Sequence, residues 1–252
     1  MVNNMQRYFI NKTQVSDNQI EITGSDFHHI KNVMRMKEGN QILVCDELNT
    51  YLCSINYFDN NSVFCHILEI KNENVEMPVD VTIAQGLVRR EKSEEVLRRI
   101  VEIGAYGYVS VAMERSIIKL KPDKDKSDRC RSIIKEACEQ SHRSRLMNYY
   151  GVINFKEFLR FASSYDLCLF AYEESGRAND LGLAANLRKF AGKSILVLVG
   201  PEGGFSTKEV ELLLKNNFKA VGLGPRILRT ETAPLYIMSA ISYEYELRKG
   251  EL

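Results

Sequence analysis

Two glycine-rich segments carry the residues of this sequence that are best suited to binding and chemistry. The first is Gly200-Pro201-Glu202-Gly203-Gly204, and the second runs from Leu223 to Ala233 and contains Gly224, Arg229, Thr230 and Glu231. Glycine lets the backbone approach a ligand closely, so that its N–H and C=O groups bind the ligand directly. Arginine and glutamate in such a loop can stabilise charge or move a proton. The two segments therefore predict a ligand site that also holds reactive groups.

Glycine loops most often bind phosphate, but neither common nucleotide pattern is present. A P-loop requires Lys-Ser/Thr after its last glycine, and here Phe205-Ser206 follows. No G-x-G-x-x-G opens the first strand-to-helix junction, which argues against a Rossmann dinucleotide site. A purely structural turn remains the alternative to a ligand loop.

The elements around the two segments predict how they are positioned. The apolar run from Ile195 to Val199 is typical of a buried strand and ends in the first segment. Ser206-Thr207-Lys208-Glu209 has the spacing of a helix capping box. A second strand over residues 220–223 leads into the second segment, and another helix follows. Both loops should open at the same edge of one sheet.

The remaining chain predicts two domains. Residues 1–75 consist of short alternating segments with one helix near Asp26 to Met36, a pattern typical of a small β-barrel. A polar linker over residues 71–74 closes at Pro78. Residues 76–252 alternate strands with helices, which predicts an α/β domain with a mostly parallel sheet.

Composition limits the partners of the chain. Residues 1–77 carry 6 Lys/Arg against 10 Asp/Glu, and residues 78–252 carry 28 against 23, so any nucleic-acid contact must be local. No apolar stretch approaches the roughly 18 to 20 residues that span a bilayer, and the N-terminus lacks a signal-peptide pattern, which predicts a cytoplasmic protein. The six cysteines and four histidines have no metal-ligand spacing, so neither a metal site nor a disulfide is expected.

The sequences of the two loops and their order resemble those of the SPOUT class of RNA methyltransferases, and within it the RsmE-type family. Further segments that resemble the family are Arg7-Tyr8-Phe9, His28-His29 before Val33-Met34-Arg35, Glu114-Arg115-Ser116, and the run from Glu136 to Ser141. The resemblance covers nearly the whole chain. It departs at Gln85-Gly86, where the family commonly has Lys-Gly, and at Ser116, where it frequently has Cys.

The resemblance implies a PUA-like barrel, a trefoil-knotted SPOUT domain, S-adenosylmethionine as cofactor, a homodimer, and methylation of uridine N3 in 16S rRNA, acting on the 30S subunit. Repeated apolar residues in the last helix, from Leu235 to Tyr243, also favour a dimer. A ribose 2′-hydroxyl or another base as target remains an alternative, as does a non-catalytic ribosome-assembly factor. The cofactor site is predicted to contain Leu198, Val199, Gly200, Pro201, Glu202, Gly203, Leu223, Gly224, Pro225, Ile227, Leu228, Thr230, Thr232 and Ala233.

Arg229 and Glu231 are the predicted catalytic residues. Arg229 either acts on the substrate, by orienting the target base or by stabilising negative charge that develops on the uracil carbonyls, or pairs with Glu231 and ties the loop down. Glu231 either orients Arg229 or acts as general base. Glu202 either faces the sulfonium of the cofactor or is a solvated turn residue.

Basic and histidine side chains in both domains are candidates for RNA contacts. Their alternatives are solvated helix faces, surface ion pairs and packing or capping roles. The predicted set is Arg7, His28, Arg35, Arg90, Lys92, Arg115, Arg143 and Arg145.

Overall fold

The computed structural model of the protein describes residues 5–73, 75–118, 125–172 and 182–248. Contacts divide the chain into a first unit, residues 1–76 with 138–146, and a second unit, residues 77–137 with 147–252. The sequence division at residues 75 and 76 lies beside this boundary. It did not include the return of residues 138–146 to the first unit, because such a return depends on contacts between distant segments.

The first unit is built on a six-stranded sheet in the order β1-β4-β5-β6-β3-β2. All its pairs are antiparallel except β1 with β4. Its strands are β1 (Arg7–Phe9), β2 (Val15–Ser16), β3 (Gln19–Thr23), β4 (Gln41–Cys45), β5 (Thr50–Phe58) and β6 (Ser62–Lys71). Helix α1 (Gly24–His28) continues as a π-helical turn (His29–Val33), and a short 3-10 turn (Lys12–Gln14) precedes β2.

The core of the first unit follows the alternation along its strands. Ile20 and Ile22 of β3 are buried, whereas Glu21 between them is exposed. Because successive side chains of a strand point to opposite faces, one face of the sheet packs the core and the other meets solvent. Ile30 of the π-helical turn joins this core.

The second unit contains a six-stranded parallel sheet in the order β12-β10-β11-β7-β8-β9. The strands are β7 (Asp80–Gly86), β8 (Gly107–Ala112), β9 (Asn148–Asn154), β10 (Leu167–Ala171), β11 (Ser194–Val199) and β12 (Lys219–Val221). The helices are α2 (Arg90–Glu102), α3 (Asp125–Gln140), α4 (Phe155–Phe161), α5 (Gly182–Lys189), α6 (Thr207–Lys215) and α7 (Ala233–Ser242). The end of α3, from Cys138, belongs to the first unit. A 3-10 turn (Ala162–Ser164) follows α4, and a π-helical turn (Tyr243–Leu247) follows α7.

The centre of this sheet is formed by β11 and β7, which pair from Ser194 with Asp80 to Val199 with Gln85. Five of the six residues of β11 are buried, as its continuous apolar sequence predicts for a central parallel strand. Because all six strands run in the same direction, the segments that follow them meet at one edge of the sheet. Among the described residues, no helix is long and apolar enough to cross a membrane.

Candidate active site

A cavity of about 670 Å³ lies in the second unit, where the strands β8, β10, β11 and β12 end. The two glycine-rich loops form most of its wall, joined by the residues that follow β8 and β10 and by one residue of α2. Its lining comprises Lys92, Arg115, Ala171, Tyr172, Val199 to Phe205, Leu223 to Glu231, and Ala233. A volume of this size suits a ligand the size of a nucleoside derivative.

The glycines of the first loop are needed for close packing. A Cβ on Gly203 would lie 2.8 Å from the carbonyl oxygen of Arg115, and one on Gly200 would lie 3.1 Å from the ring of Phe205. A Cβ on Gly86, at the end of β7, would collide with Pro201. The first loop is therefore wedged between the segments that follow β7 and β8.

A buried hydrogen-bond network joins the two loops to the core of the sheet. The Thr230 hydroxyl of the second loop donates to the Gly200 carbonyl of the first at 2.7 Å. The side-chain amide of Gln85 donates to the Thr230 carbonyl at 2.8 Å and accepts from the Tyr108 hydroxyl at 2.8 Å. Gln85 is fully buried, and burial raises the pKa of Tyr108. Every member of this network is therefore neutral.

The exit of the first loop is fixed by the predicted capping box. Ser206 accepts the backbone N–H of Glu209, and Glu209 accepts the backbone N–H of Ser206, which starts α6. The second carboxylate oxygen of Glu209 accepts the backbone N–H of Glu114 at 2.8 Å. One buried carboxylate thus holds the segment after β8 against the segment after β11.

The second loop turns into α7 through backbone bonds. The N–H groups of Thr232 and Ala233 both donate to the carbonyl of Arg229 at 2.9 Å. Gly224, near the start of the loop, has a φ of 94°, in the left-handed region that favours glycine. The exposed Arg229 side chain thus lies on a segment whose backbone is held at its junction with α7.

Arg229 and Glu231 both line the cavity, but they do not pair. Among the residues that the structure describes, no hydrogen bond or ion pair engages the Arg229 guanidinium, which is exposed. The Glu231 carboxylate instead lies 3.3 Å from Nζ of Lys92, which also lies 3.2 Å from Glu202. The alternative in which Arg229 is tied down by Glu231 is therefore not the arrangement found.

Most residues predicted for the cofactor site line this cavity. Leu198 and Thr232 do not: the Leu198 side chain is fully buried in the core of the sheet, and Thr232 is exposed at the start of α7. The sequence reasoning missed Ala171, Tyr172, Gly204, Phe205 and Arg226. Ala171 and Tyr172 lie at the end of the apolar strand β10, so the rule that the ends of parallel strands meet at one edge was the available signal.

In the first unit, three arginines predicted to contact RNA bind carboxylates of the protein instead. Arg7 is buried, lies 3.0 Å from Glu73, and donates to the Arg143 carbonyl. Arg143 is buried as well and lies 2.6 Å from Glu76, while Arg145 lies 3.3 Å from the same carboxylate. A buried guanidinium with internal partners is not available to a phosphate, so we correct Arg7 and Arg143 to structural residues.

The other residues predicted to contact RNA remain accessible. His28 and Arg35 are exposed in the first unit, and Arg90 is exposed on α2, where it pairs with Glu94 at 2.6 Å. Arg115 is exposed at the cavity rim and donates to the Gly203 carbonyl at 3.3 Å. Lys92 occupies the cavity wall rather than the outer surface.

Comparison with known proteins decides the family. Residues 75–242 match the RNA methyltransferase domain, and residues 22–68 match the RNA methyltransferase PUA domain. The chain is 42% identical to a Bacillus subtilis protein named ribosomal RNA small subunit methyltransferase E, covering 98% of this chain and 100% of that protein. This chain belongs to that family. The PUA domain lies in its first unit, and most of the methyltransferase domain lies in its second unit.

Further comparisons agree in length and fold. An Aquifex aeolicus protein of the same name is 30% identical, covering 83% of this chain and 88% of that protein. A solved Legionella pneumophila structure, described as a methyltransferase in complex with the bound cofactor SAM, is 26% identical with a TM-score of 0.81. It covers 94% of this chain and 97% of that one. The chain is thus an RNA methyltransferase.

Proposed function

We propose that this enzyme transfers the methyl group of S-adenosylmethionine to N3 of a uridine in 16S rRNA. The observation that carries the proposal is the cavity between two glycine loops, which is lined by a carboxylate and by an arginine that has no ion-pair partner among the described residues. The shared name of its relatives supports small-subunit ribosomal RNA as the substrate. The Legionella structure supports S-adenosylmethionine as the cofactor.

The residues of the cavity fit this cofactor. Gly200, Gly203 and Gly224 leave backbone groups accessible where side chains are excluded by packing or by φ. Val199, Leu223 and Leu228 supply apolar wall, and Tyr172 supplies an aromatic ring. S-adenosylmethionine, when bound there, provides a methyl group on a positively charged sulfur and departs as a neutral thioether. Glu202 would face that positive charge with a favourable Coulomb energy.

Side chains of the second loop would remove the N3 proton and stabilise the charge that develops on the base. Uridine N3 carries a proton that must leave before its electron pair can take a methyl group, and Glu231 is the carboxylate in the cavity suited to accept it. Negative charge then develops on the uracil carbonyls, where the planar Arg229 guanidinium can donate hydrogen bonds. The loops would exclude water and hold the base in line for transfer.

The accessible basic residues support RNA binding at separate points. We assign phosphate contacts to Arg35 in the PUA domain and to Arg90 and Arg115 in the methyltransferase domain, with His28 as a further candidate. Since the net charge is only +1, affinity must come from a few placed contacts and a shaped RNA. The assembled 30S subunit in the cytoplasm is the substrate that fits this requirement.

We also propose a homodimer. A groove of about 470 Å³ runs beside α7 and is lined by apolar and aromatic side chains, among them Leu183, Leu187, Tyr236 and Tyr243. Tyr236 and Tyr243 are 44% and 55% exposed, an unusual exposure for two tyrosines of a helical segment. Ile237, Met238 and Ile241 are fully buried inside the protomer, so the partner would contact the tyrosine face alone.

The test is methylation in vitro of 16S rRNA and of 30S subunits from a strain lacking this gene. Nucleosides from the product would be identified by mass spectrometry. We expect 3-methyluridine, with 30S subunits the better substrate. A 2′-O-methylated nucleoside or another methylated base would replace the proposed target, and RNA binding without any methyl transfer would make the protein an assembly factor.

A further inference from the structure

Lys92 contacts one carboxylate from each loop of the cavity. It lies in the first turn of α2, and its Nζ is 3.2 Å from Oε1 of Glu202 and 3.3 Å from Oε2 of Glu231. The side chains of Lys92, Glu202 and Glu231 are 33%, 24% and 18% exposed. The ammonium therefore faces the protein's own carboxylates from within the cavity wall.

The Lys92 ammonium is the counter-ion of the Glu231 carboxylate. Its Oε2 atom is buried and has no hydrogen-bond partner among the described residues, so the ion-pair contact with Lys92 is its compensating interaction. A buried carboxylate oxygen without a hydrogen bond is costly unless an opposite charge contacts it, and such a contact also fixes where the carboxylate lies.

A phosphate role for Lys92 fits this geometry less well. RNA would have to displace two carboxylates that already lie within 3.3 Å of the ammonium. The hydrogen bond to Glu202, opposed by a smaller effect of burial and aided by Glu231, raises the pKa of Lys92, so the side chain stays charged. The Lys92 side chain therefore keeps its positive charge beside the carboxylates of Glu202 and Glu231.

We propose that Lys92 is a positioning residue that holds the Glu231 carboxylate directed toward the target base, an inference that rests on the proposed function. The N3 proton passes to the Glu231 carboxylate, the N3 electron pair forms the bond to the methyl carbon, and the sulfur keeps the electron pair of the broken bond. Lys92 stays protonated throughout and remains paired with Glu202. The proton that Glu231 holds leaves to solvent after the product.

The experiment is a double-mutant cycle with Lys92→Met and Glu231→Gln, assayed on 30S subunits at saturating S-adenosylmethionine. Methionine keeps the apolar length of the lysine without its charge. We expect Lys92→Met to lower kcat by about tenfold or more and to leave the KM for RNA nearly unchanged, as removal of a positioning group should. Glu231→Gln should lower kcat by about 100-fold.

The double variant decides the proposal. If Lys92 acts through Glu231, adding Lys92→Met to Glu231→Gln lowers kcat little further, because the group that Lys92 positions is already absent. Lys92→Arg should restore most of the activity. Arg99→Met is the matched control, since Arg99 lies on the outer face of the same helix and is 56% exposed.

Three results would overturn the proposal. Multiplicative losses in the double variant would show that the two residues act independently. A raised KM with a weaker salt dependence would make Lys92 a phosphate ligand. Loss of S-adenosylmethionine binding by Lys92→Met in calorimetry would make it a clamp that holds the loops. An inactive wild-type protein would instead refute the proposed function, so the two failures are distinguishable.

Discussion

At the scale of single residues, the polar groups of the cavity divide into those bonded within the protein and those left for a ligand. Gln85 and Thr230 are buried and bonded to each other, whereas Arg229 is exposed and lines the cavity. Hydrogen bonds within a buried network fix geometry, and a charged group without a protein partner is available to a substrate. Different substitutions should therefore separate positioning from chemistry.

Arg229→Ala should lower kcat by about 100-fold and change the affinity for S-adenosylmethionine by less than about threefold, because the charge is needed mainly when the uracil becomes anionic. Single-turnover methylation and calorimetry would measure the two effects. Arg229→Lys should recover little, since an ammonium cannot reproduce a planar two-point contact. Near-normal turnover of Arg229→Ala would remove Arg229 from the chemistry.

Gln85→Leu should weaken both folding and cofactor binding. The change leaves the Thr230 carbonyl and the Tyr108 hydroxyl without their buried partner. Such a loss costs about 1 to 3 kcal/mol per unsatisfied group. Urea unfolding and calorimetry would report it, with Gln41→Leu at an exposed position of β4 as the control. Unchanged S-adenosylmethionine affinity would show that the network does not set the loop positions.

At the scale of elements, the loops were predictable because their signals are local. The strand before the first loop, the capping box after it, and the turn into α7 all lie within a few residues of the segments they control. Strand β9 has a weak sequence signal because it is an edge strand with half-exposed residues and contains Gly151 at a φ of 75°. Its sequence Asn148 to Asn154 lacks the continuous apolar run of a central strand.

Contacts between distant segments explain the errors in the predicted site. Arg143 donates a hydrogen bond to Glu76, which lies 67 positions earlier in the chain. No local sequence pattern near Arg143 predicts that partner. The same is true of Lys92 with Glu231 and of Arg7 with Glu73. The sequence pattern identified charged residues correctly, but the fold decided which of them face outward.

Gly203→Val should abolish S-adenosylmethionine binding while the protein stays folded. The new side chain would press against Arg115, whose carbonyl oxygen and Cβ lie 2.8 and 2.9 Å from an ideal Cβ at this position. We expect calorimetry to show at least a tenfold loss of affinity, which is about 1.4 kcal/mol. Thr13→Val, at an exposed position of the first unit, is the control. Unchanged affinity in Gly203→Val would move the cofactor elsewhere.

The ion pairs of Glu76 with Arg143 and Arg145 should make the stability of the first unit sensitive to acid. Burial opposes ionisation of Glu76, but hydrogen bonds and charge from Arg143, with help from Ser144 and Arg145, hold its pKa below the usual value of 4.5. A lowered pKa in the folded state means that the stabilisation is complete above pH 4.5 and is lost as pH falls through the lower folded value.

Glu76→Gln should therefore destabilise the protein at neutral pH by roughly 3 kcal/mol, because Arg143 loses its buried partner. The difference from the wild type should shrink as the pH is lowered below about 4.5. Thermal unfolding over a pH series would measure it, with exposed Glu38→Gln as the control. A difference independent of pH would contradict the assignment of this charge.

At the scale of the whole molecule, the apolar groove beside α7 shares Leu223 and Gly224 with the cavity between the two loops. A partner seated on the groove would therefore lie against the start of the second loop. We expect analytical ultracentrifugation to give twice the chain mass of 28.9 kDa, and Tyr236→Glu with Tyr243→Glu to give the single mass. Tyr57→Glu, at an exposed position of β5, should leave the dimer intact. A wild-type protein of 28.9 kDa at micromolar concentration would exclude the homodimer.

The hydrogen bond from Thr230 to Gly200 also has a thermodynamic consequence. In the proposed function the cofactor contacts both loops and the RNA base contacts Arg229 of the second, so binding of either ligand should favour the loop arrangement that the other requires. Reciprocity then requires that the cofactor raise the affinity for RNA by the same factor by which RNA raises the affinity for the cofactor. Thr230→Val, which removes the donor and keeps the shape, should bring that factor toward one. The enzyme would then bind its two substrates as independent partners.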